Sequence, residues 1–288
     1  MLDLCNPQVV QALLRRHGFH FSKSKGQNFL VASWVPRQIA EAAGVGPDCG
    51  VLEVGPGLGP LTQQLCLRAG KVAAVEVDRS LEPVLAETLG EFQNLKLLWG
   101  DVLKLDLAAV VRSQFQGLRP VACANLPYYI TSPILAALLE ARCFETVTVM
   151  VQKEVAARIT AGPGTSDYGA FSLFCQYFAE PEVLFDVPAS CFTPRPKVTS
   201  AVVQLSVRSG PPCPVSSEAL FFRVVRASFA QRRKTLCNAL AAGFPELEKG
   251  SLAALLSGCG ISPTIRGEKL DIPSFAAIAN RIEEVQKR

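Results

Sequence analysis

The sequence predicts an α/β fold, in which a mostly parallel sheet is covered by helices on both faces and followed by a smaller helical domain. Three observations carry this. Up to about residue 205, short apolar runs alternate with amphipathic stretches, the pattern of βαβ units. The first of these runs ends in a glycine-rich turn, "VLEVGPGLGPLTQQL". Beyond "SGPPCPVSSE" (209–218), a linker with three prolines, the apolar spacing is helical throughout.

Strand-like runs fall at 51–54, 72–77, 95–98, 120–124 and 146–151. Helix-like segments lie between them, near 60–69, 80–90, 106–114 and 132–141. Two further runs, 183–187 and 201–207, are separated only by the proline-rich "PASCFTPRPKVTS". That is too short for a crossover helix, so the two are expected to pair antiparallel at one edge. In the last stretch Leu220, Val224, Val225, Leu236 and Leu240 keep helical spacing, and Pro273 suits the first turn of a final helix ending near Lys287. The expected division is a sheet domain over 1–208 and a helical domain over 209–288.

Composition bounds the function classes. A chain of 288 residues, 49% apolar and 19% charged, is built to fold around a core. No apolar run is long enough for a transmembrane helix, so no membrane partner is expected. Asp3 and the absence of a continuous apolar segment near the start argue against a secretory signal, and the expected compartment is the cytoplasm. The ten cysteines contain no C-x-x-C, so zinc and redox spacings are missing and no metal is expected. Cys66, Cys123 and Cys175 sit in apolar company and read as reduced core thiols. With no heptads or surplus apolar stripe, a monomer is expected.

Charge is unevenly spread. Residues 1–205 carry 17 Lys and Arg against 18 Asp and Glu, whereas residues 206–288 carry 12 against 7. No carboxylate lies between Asp3 and Glu41, a stretch holding both histidines and five Lys or Arg. A second acid-free cluster comprises Arg223, Arg226, Arg232, Arg233 and Lys234. Two basic stretches with aromatics nearby (Phe19, Phe21, Phe221, Phe222, Phe229) point to a nucleic-acid partner.

The glycine turn suggests the cofactor. Gly55, Gly57 and Gly59 let the backbone turn sharply and approach a ligand closely. Glu76, at the end of the second strand, suits a carboxylate gripping ribose hydroxyls. Three features depart from a pyridine-nucleotide site. The spacing is G-x-G-x-G rather than G-x-G-x-x-G. Glu53, two residues before Gly55, would repel a pyrophosphate but tolerate a sulfonium or ammonium. Asp101, after the third strand, suits an acceptor for an adenine amino group. A cofactor with ribose, adenine, a cationic centre and no phosphate is S-adenosylmethionine.

With these features on view, the sequence resembles the KsgA type of small-subunit rRNA adenine N6,N6-dimethyltransferase. The matching stretches include "SKGQNFL" (24–30), "EVGPGLGPLT" (53–62), "GDVLKLD" (100–106), "NLPYYITSPI" (125–134), "FTPRPKVTSAV" (192–202) and "SFAQRRKTLCNAL" (228–240). The resemblance implies a Rossmann-like S-adenosylmethionine-dependent methyltransferase fold, a seven-stranded mostly parallel sheet with a reversed strand, plus a small α-helical C-terminal domain. It implies cofactor contacts at Asn28, Leu30, Gly55, Glu76, Asp101 and Asn125, with Gly57 in the same loop. It implies a substrate of two adjacent adenosines in a hairpin near the 3′ end of small-subunit rRNA, free or within an assembling small ribosomal subunit. Arg195, Cys237 and Lys25 depart from the usual pattern, the first two where RNA contact would be retuned.

The motif Asn125-Leu126-Pro127-Tyr128 then acquires a chemical reading. Adenine N6 is a poor nucleophile because its lone pair is delocalised into the ring. Asn125 can accept from the amino hydrogens through its side-chain carbonyl, and Leu126, directed by rigid Pro127, through its main-chain carbonyl. Tyr128 would stack on the extruded base, and the resemblance suggests Phe192 as the opposite face. Arg223, Arg226, Arg232, Arg233 and Lys234 would touch phosphates. The rival readings are a large-subunit rRNA adenine methyltransferase and a non-catalytic nucleic-acid-binding protein that keeps this fold.

Overall fold

The computed structural model describes residues 2–18 and 29–287. The first half runs α1 (Pro7–Arg16), β1 (Phe29–Leu30), α2 (Trp34–Ala42), β2 (Cys49–Val54), α3 (Pro60–Cys66), β3 (Lys71–Glu76), α4 (Glu82–Leu89), β4 (Leu95–Trp99), α5 (Leu107–Gln114), β5 (Arg119–Asn125), α6 (Thr131–Glu140) and β6 (Thr146–Gln152). The second half runs α7 (Lys153–Thr160), α8 (Ala170–Phe178), β7 (Ala179–Val187), β8 (Phe192–Thr193), β9 (Ser200–Val207), α9 (Glu218–Ala230), α10 (Leu236–Gly243), α11 (Lys249–Gly258) and α12 (Ile272–Gln286).

Seven strands form one sheet in the order β4-β3-β2-β5-β6-β9-β7. β2 pairs parallel with β3 and β5, β3 with β4, and β5 with β6, while β9 runs antiparallel to β6. The reversed last strand agrees with the family expectation. The two late runs do lie side by side at one edge, as expected, with β9 inserted between β6 and the edge strand β7. The chain leaves β2 toward β3 and β4 on one side and returns through β5 and β6 on the other. The carboxyl ends of β2 and β5 therefore flank the topological switch point, where open α/β sheets bind ligands.

Local signals explain the element ends. All six residues of β2 are buried, as expected of a strand covered on both faces. Asp106 caps α5 by accepting from the Ala109 N–H, and Ser217 caps α9 through the Leu220 N–H. Asp271 caps α12, with Pro273 in its first turn. One core cluster joins Val35 and Ile39 of α2 to Val51, Leu65, Val121 and Met150. A second packs Val10, Leu13 and Leu14 of α1 with Leu58, Leu81 and Leu85.

The division of the chain differs from the linear boundary at 208. One compact unit comprises Met1–Ala156 and Pro181–Val207, and the other Ala157–Glu180 and Arg208–Arg288. The reason is an aromatic cluster. Tyr177 of α8 lies 4.8 Å from Phe221 and 5.0 Å from Phe222, and Phe178 stacks 5.8 Å from Phe222. These contacts bind α8 to α9 although some 40 residues separate them in sequence. α8, "AFSLFCQYF", is a short, mostly apolar run, which sequence pattern alone does not separate from a buried strand.

Candidate active site

The acidic and glycine positions converge first. β2 carries Glu53 to the switch point, and the following loop places Gly55, Gly57 and Gly59 at φ of 71°, 59° and 97°, a region L side chains rarely adopt. The Gly55 N–H donates to the Val75 carbonyl at 2.9 Å, fixing the loop beside β3. Glu76 ends β3 and accepts from the Asp78 N–H at 2.9 Å and from the Gly57 N–H at 3.4 Å. Asp101, after β4, uses Oδ1 to accept from the Leu103 N–H at 3.0 Å. That bond orients the carboxylate and caps the single turn Val102–Lys104.

Glu53 is only 1% exposed, and among the described residues its Oε2 has no hydrogen-bond partner. Burial, with the Glu76 carboxyl nearby, pushes its pKa up to about 8. Glu76 is raised by burial as well, an effect opposed by the N–H groups of Asp78 and Gly57. Two buried acids side by side, one with an unsatisfied oxygen, favour a cationic ligand.

At the end of β5 the chain leaves the sheet as Asn125-Leu126-Pro127-Tyr128. The Leu126 N–H still donates to the Met150 carbonyl of β6 at 3.2 Å, so the turn is pinned at its base. Pro127 sits at φ −61° and ψ 130°, and its carbonyl accepts from the Ile130 N–H at 3.2 Å and the Thr131 hydroxyl at 3.1 Å. Among the described residues, neither the Asn125 side-chain amide nor the Leu126 carbonyl is used in a hydrogen bond. Tyr128 shares a 2.7 Å hydrogen bond between its hydroxyl and Ser200 Oγ. Phe192 is held in the short β8, where Leu30 of β1 is its antiparallel partner.

One cavity of about 420 Å3 gathers these groups. Its walls include Leu30, Glu53, Gly55, Gly57, Glu76 and Asp101 on the acidic side. Asn125, Leu126, Pro127, Tyr128 and Phe192 contribute the rest of the expected set. Asn28 and Lys25 lie outside the described residues. Sequence reasoning missed Val77, Tyr129 and Ile134, which also line the cavity. Tyr129 is 64% exposed, and only its place beside the Asn-Leu-Pro-Tyr turn could have flagged it. Nothing local marks Ser200.

The ribosomal RNA adenine dimethylase family model matches residues 18–284. The chain belongs to this family. Its curated relatives include "Ribosomal RNA small subunit methyltransferase A" of Geobacillus thermodenitrificans, 46% identical over 284 residues and covering 97% of both chains. The protein of the same name from Lachnoclostridium phytofermentans is 44% identical over the whole of both chains. Among solved structures, a dimethyladenosine transferase from Plasmodium falciparum matches with a TM-score of 0.74 at 26% identity, over 88% of this chain and 97% of that one. The 23S rRNA methyltransferase ErmE matches with a TM-score of 0.65 at 27% identity, over 89% of this chain and 100% of its own.

Within this family member the basic cluster divides in two. Arg223 is engaged within the fold while its side chain stays partly exposed. Its guanidinium pairs with Glu246 at 2.8 Å, donates to the Gly243 carbonyl at 2.9 Å and lies 4.1 Å from the centre of the Phe244 ring. Arg232 donates to the Ser166 carbonyl at 3.0 Å while remaining exposed. Arg226, Arg233 and Lys234 are exposed. Of the neighbouring aromatics, Phe221 is fully buried and Phe229 packs on Tyr168 and Phe275, whereas Phe19 and Phe21 lie outside the described residues. Cys237 is also buried, its thiol donating to the Lys249 carbonyl at 3.7 Å, so it has no place in RNA contact. Arg195 is exposed in the loop between β8 and β9.

Proposed function

We infer that the protein dimethylates N6 of two adjacent adenosines in a hairpin near the 3′ end of small-subunit rRNA, with S-adenosylmethionine as methyl donor. The observation that carries this reading is the sharing of one cavity by two unused acceptors, at Asn125 and Leu126, and the buried acids Glu53 and Glu76. The residues fit the cofactor. Among the described residues, Glu53 has an orphaned buried oxygen suited to a cation, and a Cβ on Gly55 would meet nothing within 4 Å, so the loop leaves room for a ligand. Glu76 and Asp101 would take the ribose hydroxyls and the adenine amino group. When bound, S-adenosylmethionine supplies an electrophilic methyl on a cationic sulfur.

The remaining work falls to the chain. Asn125 Oδ1 and the Leu126 carbonyl oxygen accept from the two N6 hydrogens and so draw the nitrogen lone pair out of conjugation. Tyr128 and Phe192 hold the two faces of the base. No strong base is required, because N6 becomes acidic as it gains the methyl and sheds a proton to water. Positioning of this kind supplies about 7–11 kcal/mol, against a few kcal/mol to extrude the adenine.

The test is transfer of labelled methyl from S-adenosylmethionine to separated small and large ribosomal subunits from a strain lacking the modification, followed by nucleoside analysis. The expected result is two N6,N6-dimethyladenosines per particle. Label appearing only on large subunits would favour the second reading, which the similarity to ErmE supports. Cofactor binding with no transfer to either would favour the non-catalytic one.

A further inference from the structure

We propose that Ser200 is a positioning residue that governs the second of the two methyl transfers by fixing the ring of Tyr128. This rests on the functional reading above and deepens it. Ser200 opens β9, fully buried, opposite Gln152 of the antiparallel β6. Its hydroxyl meets the Tyr128 hydroxyl at 2.7 Å. The backbone of Tyr128 is tied separately, through the Thr131 hydroxyl on the Pro127 and Tyr128 carbonyls at 3.1 and 3.5 Å. The ring is thus anchored at both ends, and burial raises its phenol pKa so that it stays a neutral hydroxyl at working pH. The same connection carries Phe192 at its start and Ser200 at its end, so one short segment supplies one wall of the base clamp and the anchor of the other.

The two transfers place different demands on this clamp. In the first, adenine N6 offers two hydrogens to two acceptors, and these bonds alone register the base. The new N–C bond forms as the S–C bond breaks, the sulfur leaves as a neutral thioether, and one N6 proton goes to water. The methylated nitrogen then has a single hydrogen and can satisfy only one of Asn125 and Leu126. One of the two registering bonds is gone, and the methyl must occupy space beside the vacated acceptor. The base is then located largely by its faces, that is, by Tyr128 and Phe192. A Tyr128 ring released from Ser200 would slow the second transfer more than the first.

The experiment is single-turnover methylation of unmodified small subunits, reading the ratio of N6-methyladenosine to N6,N6-dimethyladenosine, with S-adenosylmethionine affinity measured alongside. Ser200→Ala and Tyr128→Phe remove the same bond from opposite sides. Each is expected to raise the ratio by about two- to tenfold, the range of one hydrogen bond, with cofactor affinity unchanged. The double variant should do no more than either single one, and Ser200→Thr, which keeps the hydroxyl, should restore the wild-type ratio. If Ser200→Ala fails to fold, Tyr128→Phe gives the same reading without disturbing β9. A wild type that dimethylates, with both single variants leaving the ratio unchanged or adding their effects in the double, overturns this proposal alone. A wild type that transfers no methyl to small-subunit RNA overturns the functional reading and this proposal with it.

Discussion

Asn125 and Glu53 are the residues on which the chemistry turns, and they fail differently when changed. Asn125→Ala removes one of two acceptors facing N6, so methyl transfer should fall at least a hundredfold, the scale of losing one aligned polar group at a reacting centre. S-adenosylmethionine binding, measured by calorimetry, should shift only a few-fold. Glu53 reports through pH. Its folded pKa of about 8 lies above the ordinary carboxylate value, so the folded protein holds a proton that the unfolded chain has released. Stability from this site is complete below about pH 4.5 and is lost as pH rises to 8, by up to roughly 4 kcal/mol. Glu53→Gln should abolish that decline in denaturation midpoints between pH 5 and 8. It should also weaken S-adenosylmethionine more than the neutral thioether product, because a bound cation draws the proton off Glu53 and is then met by a carboxylate that Gln cannot supply. Both residues were nameable from sequence, since each lies one or two positions from a strand end or glycine turn. The unsatisfied state of the Glu53 oxygen was not, because it depends on what the whole sheet buries around it.

At the scale of elements, the glycine loop and the strand leading into it make separable predictions. Gly50 lies inside β2, where an added Cβ would sit 2.3 Å from Phe115 Cγ. Gly50→Ala should therefore lower thermal stability, by about 1–3 kcal/mol for overpacking, while cofactor affinity in the folded fraction is retained. Gly55→Ala has open space but a φ of 71°, so it should cost only about 1–2 kcal/mol of stability and act chiefly on cofactor affinity. Fluorescence melts and calorimetry on the two variants would show the split. The parallel strands were legible because each is a short apolar run between turn signals. α8 was not, since a short, mostly apolar run of nine residues reads as strand or helix alike. The insertion of β9 between β6 and β7 was also hidden, because an adjacent pair of strands reads the same whichever member is the edge. The Tyr128–Ser200 bond joins residues 72 positions apart and follows from the β6–β9 register, which no local pattern encodes.

For the whole molecule, the excess positive charge of the C-terminal stretch has to be sorted into groups that hold the fold and groups that face solvent. Arg223 belongs to the first kind. Its ion pair, carbonyl bond and ring contact all fall within the helical unit. Sequence order suggested otherwise, because its acidic partner, Glu246, lies 23 positions on, in the turn between α10 and α11. Arg233 and Lys234 are exposed in the turn between α9 and α10, and Arg226 is exposed on α9. The electrostatic part of RNA binding scales with the number of phosphates neutralised. Removing the charge at Arg233 and Lys234 with Gln should therefore reduce the slope of log affinity against log salt by about 0.7–0.9 per lost contact, with little effect on melting. Arg223→Gln should do the reverse, lowering the melting temperature by a few degrees and leaving the salt slope of the folded protein unchanged. Titration of RNA at several ionic strengths, paired with thermal melts of the same variants, measures both. A flat response to Arg233 and Lys234 changes would return those side chains to an ordinary solvated surface. A reduced slope for Arg223→Gln would mean that its pairing with Glu246 opens when RNA binds.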